Sequence, residues 1–129
     1  AAAGLPGRVA VVPGYREDVH RCQQMADVSA FPTQAEGLGT PMLEAIACGV
    51  PVVANRIPGI TDAWIHDGEN GFLSDLDPAA FAERLRLAAA FPAEQRRREA
   101  ENIIAVAGTA AVDQQYRERI KDLVATPPA

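Results

Sequence analysis

Along residues 1–76, short apolar runs alternate with stretches in which the apolar residues are spaced as in a helix. This order constrains the fold more than any other feature. Four runs are predicted as buried strands because they are short and mostly apolar: RVAVV at 8–12, DVSAF at 27–31, PVVAN at 51–55 and GFL at 71–73. Helices are predicted between them, at 16–26, 40–48 and 60–66. Strands and helices in this order form a parallel sheet with helices on both faces.

The alternation ends after residue 76, where the pattern predicts three helices in succession. Asp77-Pro78 is typical of a helix start, because Asp caps free amides and Pro fits the first helical position. This helix reaches about Ala90. A second runs from the Phe91-Pro92 break to about 107, with Arg96–Arg98 on its exposed side, and a third covers about 111–124. The sequence therefore predicts an α/β fold: a partial Rossmann-like sheet of about four strands, with a helical C-terminal segment.

The stretch EGLGTPMLE (36–44) leaves the carboxyl end of the strand predicted at 27–31. Ligands of parallel sheets bind beyond such strand ends. Gly37 and Gly39 permit a sharp bend, and Thr40 is the predicted N-cap of the next helix. The amides of Gly37, Leu38, Gly39 and Thr40 would then meet a helix N-terminus, whose partial positive charge suits a diphosphate.

Two glutamates flank this bend. If the helix begins near Thr40, Glu44 faces the same crevice, where its carboxylate could accept hydrogen bonds from a vicinal diol such as a ribose. Glu36 precedes the bend, where it could contact a sugar attached to the diphosphate and stabilise positive charge on the anomeric carbon. The alternative is structural: the glycines are turn residues and Glu44 is a solvated helix position.

The formal net charge of −5 argues against nucleic acid as the main partner. Residues 1–76 carry nine acidic side chains and four arginines, whereas residues 77–129 carry eight of each sign. The whole negative excess therefore lies in the half that holds EGLGTPMLE. A diphosphate site there would need cations from elsewhere.

Cys22 and Cys48 fall within predicted helices and lack the spacing of metal ligands, so we expect two buried free thiols in a reducing, cytoplasmic environment. His20 and His66 are isolated, and surface positions are expected for both. No metal or other cofactor is predicted. No apolar run approaches the roughly 20 residues that a membrane-spanning helix needs.

The longer string ADVSAFPTQAEGLGTPMLEAIACGVPVVANRIPGITDAWIHDGENGFL (26–73) closely resembles the donor-binding domain of retaining GT-B glycosyltransferases of the "group 1" family. The matching pieces follow in the family's order: Ala26-Asp27, Phe31-Pro32, the E-x7-E pair Glu36 and Glu44, Ala47 through Ala54, Pro58-Gly59, and Asp67 through Gly71. The stretch VVPGYREDV (11–19) is similar to the family's loop beside the nucleotide base.

The resemblance implies transfer of a sugar from a nucleotide diphosphate sugar to an unknown acceptor, with retention of configuration and without a metal. Glu44 would hold the ribose hydroxyls, and Glu36, the catalytic candidate, would contact the donor sugar. The four amides from Gly37 to Thr40 would bind the diphosphate. Tyr15 and Arg16 would lie beside the base.

Some family features differ or are missing. Thr33 replaces the usual serine, Pro58 replaces one glycine of a pair, and Thr61-Asp62 replace the usual proline-glutamate. The family's donor domain has two further strands, whose loops supply an arginine and a lysine to the diphosphate, and a separate acceptor-binding domain. We therefore expect residues 1–129 to be a single partial domain, the C-terminal portion of a larger transferase, and inactive alone.

Without the two further strands, the strand at 27–31 would have an open edge, which recruits another strand. Either 8–12 pairs directly with 27–31, or two chains pair or exchange elements as a homodimer. Peripheral membrane association of the parent protein is left open. Two other functions also remain open: a non-catalytic half-Rossmann module that binds a nucleotide sugar or a partner, and a GT-B epimerase.

Overall fold

The computed structural model describes residues 12–125, and most of the predicted strand at 8–12 lies outside them. Within this range, three strands and six helices follow each other in chain order: α1 Val19–Gln24, β1 Ser29–Phe31, α2 Thr40–Ala47, β2 Val52–Asn55, α3 Thr61–Trp64, β3 Gly71–Ser74, α4 Pro78–Ala89, α5 Ala93–Ala107 and α6 Thr109–Ala125. The predicted α/β class and the helical C-terminal segment are confirmed.

The strands form a parallel sheet in the order β1-β2-β3. Ser29 pairs in register with Val52, and Asn55 pairs with Ser74. The prediction of about four strands is wrong for the described residues, where the sheet has three. Within that range β1 has a single neighbour, so the predicted pairing of its other edge, with 8–12 or with a second chain, stays a prediction.

The middle strand is covered on both faces. All four residues of β2 are buried, and successive side chains of a strand point to opposite faces. Helix α2 contacts β1 and β2, whereas α4 contacts β2 and β3. The all-apolar appearance of this strand in the sequence has the same cause, since burial on both sides removes the usual alternation.

The main core lies between the sheet and α2, with α5 packed against α2. Its buried members are mostly aliphatic: Met42, Ala45, Ile46, Val50, Val52, Ala54, Ile65, Leu73 and Ile103. The buried apolar side chains of α2 point into this core, and the opposite face of the helix, which carries Glu44, is exposed. This packing fixes the orientation of the helix that begins at EGLGTPMLE.

Helix α2 begins one residue earlier than predicted. Gly39, with φ of 76°, is the N-cap, and Thr40 is already helical and makes no side-chain cap. The helix ends at Gly49 as predicted. Gly49 has φ of 76°, its amide donates to the carbonyl of Ile46, and the amide of Val50 donates to that of Ala45. These two bonds are those of a Schellman ending, which glycine favours.

The C-terminal helices follow the prediction closely, with one exception. Asp77 caps α4 by accepting a hydrogen bond from the amide of Ala80 at 2.8 Å. Arg96, however, does not lie on an exposed face. Its guanidinium donates to the carbonyls of Phe91 (3.0 Å) and Ala89 (2.6 Å), the free groups at the end of α4.

Helix α1 is shorter than the predicted 16–26 and buries none of its residues. The expected apolar stripe is therefore largely exposed: Val19 is 41% and Met25 is 80% accessible. Both cysteines are free thiols, but Cys22 is exposed rather than buried, because α1 lies on the surface, and Cys48 is half-buried.

Candidate functional site

The bend before α2 presents backbone amides at a helix N-terminus. Gly39 is buried in the left-handed conformation, and a Cβ placed there would overlap the terminal methyl of Met42. Among residues 12–125, no acceptor is found for the amides of Leu38, Gly39 and Thr40. The amide of Gly37 is used locally, since it donates to Oε1 of Glu36 at 3.0 Å. Three of the four predicted amides therefore remain available to a ligand.

Tyr15 and Arg16 line one open depression of about 650 Å³ together with Glu44, which is distant from them in the sequence. One wall is the loop before α1 together with Val19, and the other is the exposed face of α2. Tyr15 is 91% accessible, so its ring is free to stack on a flat ligand. The structure thus brings together the residues predicted for the base and for the ribose.

Arg16 is already engaged in this loop. Its Nε donates to Oδ1 of Asp18 at 2.8 Å, and its Nη2 donates to Oδ2 at 2.7 Å. This exposed pair raises the pKa of Arg16 and lowers the pKa of the Asp18 carboxyl, chiefly through the hydrogen bonds. Much of the positive charge of Arg16 is therefore neutralised within its own loop.

A second depression, of about 370 Å³, lies beside the bend. Leu38, Thr40 and Glu44 line it on one side, and Ile103 and Ile104 of α5 are among the residues on the other. Glu44 lines this depression as well as the one that holds Tyr15. Its carboxylate therefore stands between the bend and the loop before α1.

Glu36 occupies a different position. Its carboxylate folds back on the amide of Gly37, it is half-buried, and it does not line either of the two depressions. Its side chain lies near Gly39, since a Cβ built on that glycine would be 3.7 Å from Cγ of Glu36. Glu36 and Glu44 thus flank the bend as predicted by their spacing, and the role of Glu36 stays a prediction.

Glu44 also acts on its neighbour Cys48. Burial raises the pKa of the Cys48 thiol, and the negative charge of Glu44 raises it further. The two residues are four positions apart and line the same depression. At a given pH, a smaller fraction of Cys48 is therefore in the nucleophilic thiolate form than for an ordinary cysteine.

The sequence resemblance around Asp67 through Gly71 has a structural explanation. Oδ1 of Asp67 accepts a hydrogen bond from the amide of Leu73 at 2.6 Å. The buried side chain of Asn70 accepts from the amide of His66 at 2.9 Å and donates to the carbonyl of Trp64 at 2.8 Å. These residues build the turn into β3, and none of them lines either depression.

Thr61, one of the departures from the family pattern, has a role that the sequence did not reveal. Its hydroxyl is fully buried, accepts from the amide of Ile57 at 2.6 Å and donates to the carbonyl of Asn55 at 2.8 Å. A proline at this position has no hydroxyl and could not make this bridge. The sequence gives no signal for this role, because the burial of Thr61 and both of its hydrogen bonds depend on the folded structure.

Two searches of the described residues gave negative results. Within residues 12–125, no three His, Cys, Asp or Glu side chains are arranged to hold a metal ion. In the same range, no helix combines the length and the apolar composition that crossing a membrane requires.

Comparison with known proteins gives a consistent result. The profile of the family described as "Glycosyl transferases group 1" matches residues 1–90. EpsD of Bacillus subtilis (strain 168), named as a glycosyltransferase, is 44% identical over 73 residues, which are 56% of this chain and 19% of EpsD. A D-inositol 3-phosphate glycosyltransferase of Acidothermus cellulolyticus is 48% identical over 58 residues, which are 44% of this chain and 13% of the relative.

A similarly named protein of Salinispora tropica is 39% identical over 87 residues, 66% of this chain and 18% of that protein. The chain thus spans less than a fifth of the length of these curated relatives. The matched region contains β1, α2, β2 and β3, together with the bend that carries Glu36 and Glu44.

Proposed function

The chain belongs to the group 1 glycosyl transferase family, and from this premise we propose that it forms the donor-binding part of an enzyme that transfers a sugar from a nucleotide diphosphate sugar to an acceptor. Transfer proceeds with retention of anomeric configuration and without a metal. The 129-residue chain alone binds donor weakly and does not catalyse transfer, because it corresponds to a small part of its relatives' length. A cytoplasmic location belongs to the same proposal.

The position of Glu44 is the observation that carries this proposal. Glu44 lines both the depression with Tyr15 and Arg16 and the depression with Leu38 and Thr40. A nucleoside diphosphate laid across this helix face would place its base near Tyr15 and its diphosphate near the bend. Its ribose would then lie against Glu44, whose carboxylate accepts hydrogen bonds from the two ribose hydroxyls.

The amides of the bend supply the second part of the argument. Those of Leu38, Gly39 and Thr40 have no acceptor among the described residues, and they lie at the positive end of α2. A diphosphate would satisfy them as an anion at a helix N-terminus. Since residues 1–76 carry a net charge of −5, the remaining diphosphate charge is neutralised by cations from the rest of the enzyme.

Glu36 is assigned to the donor sugar. Oε1 is bonded to the Gly37 amide, which orients the carboxylate and leaves Oε2 free to accept a sugar hydroxyl. The same negative charge favours positive charge that develops on the anomeric carbon as the diphosphate leaves. In the full enzyme, the acceptor hydroxyl attacks from the face that the diphosphate leaves.

The test is a titration of the 129-residue chain with UDP, GDP and ADP, followed by the chemical shifts of backbone amides. We expect one of these nucleotides to shift the amides of Leu38, Gly39 and Thr40 together with that of Tyr15. Glu44→Ala should weaken this binding by about 1–3 kcal/mol, because the ribose loses charge-assisted hydrogen bonds.

Glu94→Ala is the matched control, since Glu94 is an exposed residue of the first turn of α5 and lines neither depression. It should leave the affinity unchanged. The proposal is wrong if no nucleotide shifts the bend amides, or if the two alanine variants weaken binding equally.

A further inference from the structure

A third, polar pocket lies at the carboxyl ends of β2 and β3, and it shares no lining residue with the two depressions around Glu44. Its volume is about 240 Å³, far more than the roughly 10–15 Å³ that one water needs. Ser74 is the last residue of β3, and Arg56 directly follows β2; both line this pocket. Asp67, Asp75 and Arg84 complete its charged and polar lining.

Two buried polar atoms at this edge lack a partner. Oγ of Ser74 and Oδ1 of Asn55 are buried and have no hydrogen bond within the described residues, and each residue is only 7% exposed. Asn55 and Ser74 are register partners on neighbouring strands, so their side chains lie on the same face of the sheet. Unsatisfied buried polar groups are rare in folded proteins. Of these two residues Ser74 lines the pocket, and its hydroxyl points to a missing hydrogen-bonding group there.

The pocket offers positive charge that is held in place. The guanidinium of Arg84 lies 5.2 Å from the centre of the Phe72 ring, and no carboxylate among residues 12–125 lies within 4 Å of it. Phe72 and Ser74 project from the same face of β3, and Arg84 and Ser74 both line the pocket. Arg56 has one distant partner, Asp62, at 3.9 Å.

The pocket also contains two carboxylates, which determine what kind of anion can bind. Oδ1 of Asp67 is occupied by the amide of Leu73, and Asp75 is exposed. Two carboxylates beside two arginines would repel a bare anion as much as the arginines attract it. They would, however, accept hydrogen bonds from the hydroxyl groups of a ligand whose anionic group sits at the arginines.

We infer that this pocket binds a small phosphorylated polyol, such as a sugar phosphate. Arg84 and Arg56 hold the phosphate, because the N–H groups of a guanidinium match the spacing of phosphate oxygens. Ser74 donates to a phosphate oxygen, and Asp67 and Asp75 accept from hydroxyls. The proposal concerns binding at this pocket and does not depend on the function proposed for the site at Glu44.

The test is calorimetric titration of the 129-residue chain with glucose 6-phosphate, inorganic phosphate and glucose in parallel. Glucose 6-phosphate should bind at least about tenfold more tightly than either of the others, because only it satisfies both the arginines and the carboxylates. Arg84→Gln should weaken its binding by about tenfold, since a charge-assisted contact is lost. Ser74→Ala should weaken it by a smaller factor without loss of thermal stability, because the hydroxyl that it removes has no hydrogen-bond partner among residues 12–125.

Arg86→Gln is the matched control: the same change on the same helix, at a residue that pairs with Glu83 and does not line the pocket. Its affinity for glucose 6-phosphate should equal that of the unaltered chain. Absence of binding, or equal weakening by Arg84→Gln and Arg86→Gln, overturns the site. Inorganic phosphate that binds as tightly as glucose 6-phosphate overturns the assignment to a polyol.

Discussion

Glu44 and Cys48 lie one turn apart on α2, where the Cys48 amide donates to the Glu44 carbonyl at 3.0 Å, and both side chains line the depression that holds Tyr15. The charge of Glu44 contributes to the raised pKa of the thiol. The reactivity of the Cys48 thiol can therefore be used to measure the effect of the charge at position 44 in the ligand-free chain.

Glu44→Gln should lower the pKa of the Cys48 thiol, since it removes the negative charge that disfavours the thiolate. The rate of alkylation of Cys48 by iodoacetamide at neutral pH should rise, because the thiolate is the reacting form. Peptide mass spectrometry follows the rate at each cysteine, and the exposed Cys22 serves as the internal control, with an unchanged rate. A Cys48 rate that stays the same or falls would show that Glu44 does not act on the thiol.

Asn70→Ala should lower the free energy of unfolding by about 2–4 kcal/mol, because it leaves the His66 amide and the Trp64 carbonyl without their partners. Urea denaturation measures the change. The control is Asn102→Ala, since Asn102 is exposed and its side-chain amide donates to the side chain of Glu99 on the surface of α5; its effect should stay within about 0.5 kcal/mol. Equal losses in the two variants would contradict the role given to Asn70.

Gly71→Ala should destabilise the fold by about 3 kcal/mol or more, because the added methyl group overlaps the backbone of Val52 in the neighbouring strand. Backbone in a central parallel strand cannot move aside as a side chain can. Gly37→Ala is the comparison, since no atom of the described part of the chain lies within 4 Å of a Cβ at that position, and it should change stability by less than about 1 kcal/mol. Thermal unfolding followed by circular dichroism distinguishes the two.

The Arg16–Asp18 pair predicts a dependence on pH. Because the pKa of Asp18 is lowered in the folded chain, its stabilising contribution is present above the unfolded pKa and is lost as pH falls through the folded pKa. Arg16→Gln should return the pKa of Asp18 toward its ordinary value and reduce this acid sensitivity. Carboxyl carbon shifts measured across an acid titration give the pKa directly. High salt should weaken the effect, since the pair is exposed.

Most of the fold could be predicted because its signals are local. Strands buried on both faces leave continuous apolar runs such as PVVAN, and the Asp77-Pro78 start and the Gly49 ending depend on a few adjacent residues. The position of Arg96 could not be predicted in this way. Its guanidinium caps α4 from the following helix, and that contact depends on how two helices are placed in space.

The candidate site was only partly accessible from sequence. The spacing of EGLGTPMLE was enough to place Glu44 on the first turns of a helix beside a glycine bend, and its proximity to Tyr15 follows the prediction. Three features were not predicted. They are the hydrogen bond from the Gly37 amide to Glu36, the pairing of Arg16 with Asp18, and the unpaired atoms of Asn55 and Ser74. Each depends on side-chain conformation, which residue order does not specify.

Thr61 lies at the end of the loop that leaves β2. Its hydroxyl bonds to the carbonyl of Asn55 and the amide of Ile57 at the start of that loop. The base of that loop is thereby clamped, whereas its tip at Pro58 and Gly59 is exposed. A label on the side of Pro58 should therefore be tolerated without displacing Arg56, whereas Gly59 is held by its amide, which donates to Oδ1 of Asp62 at 2.7 Å. The loop is a suitable attachment point for a fluorescent reporter of events at this end of the sheet.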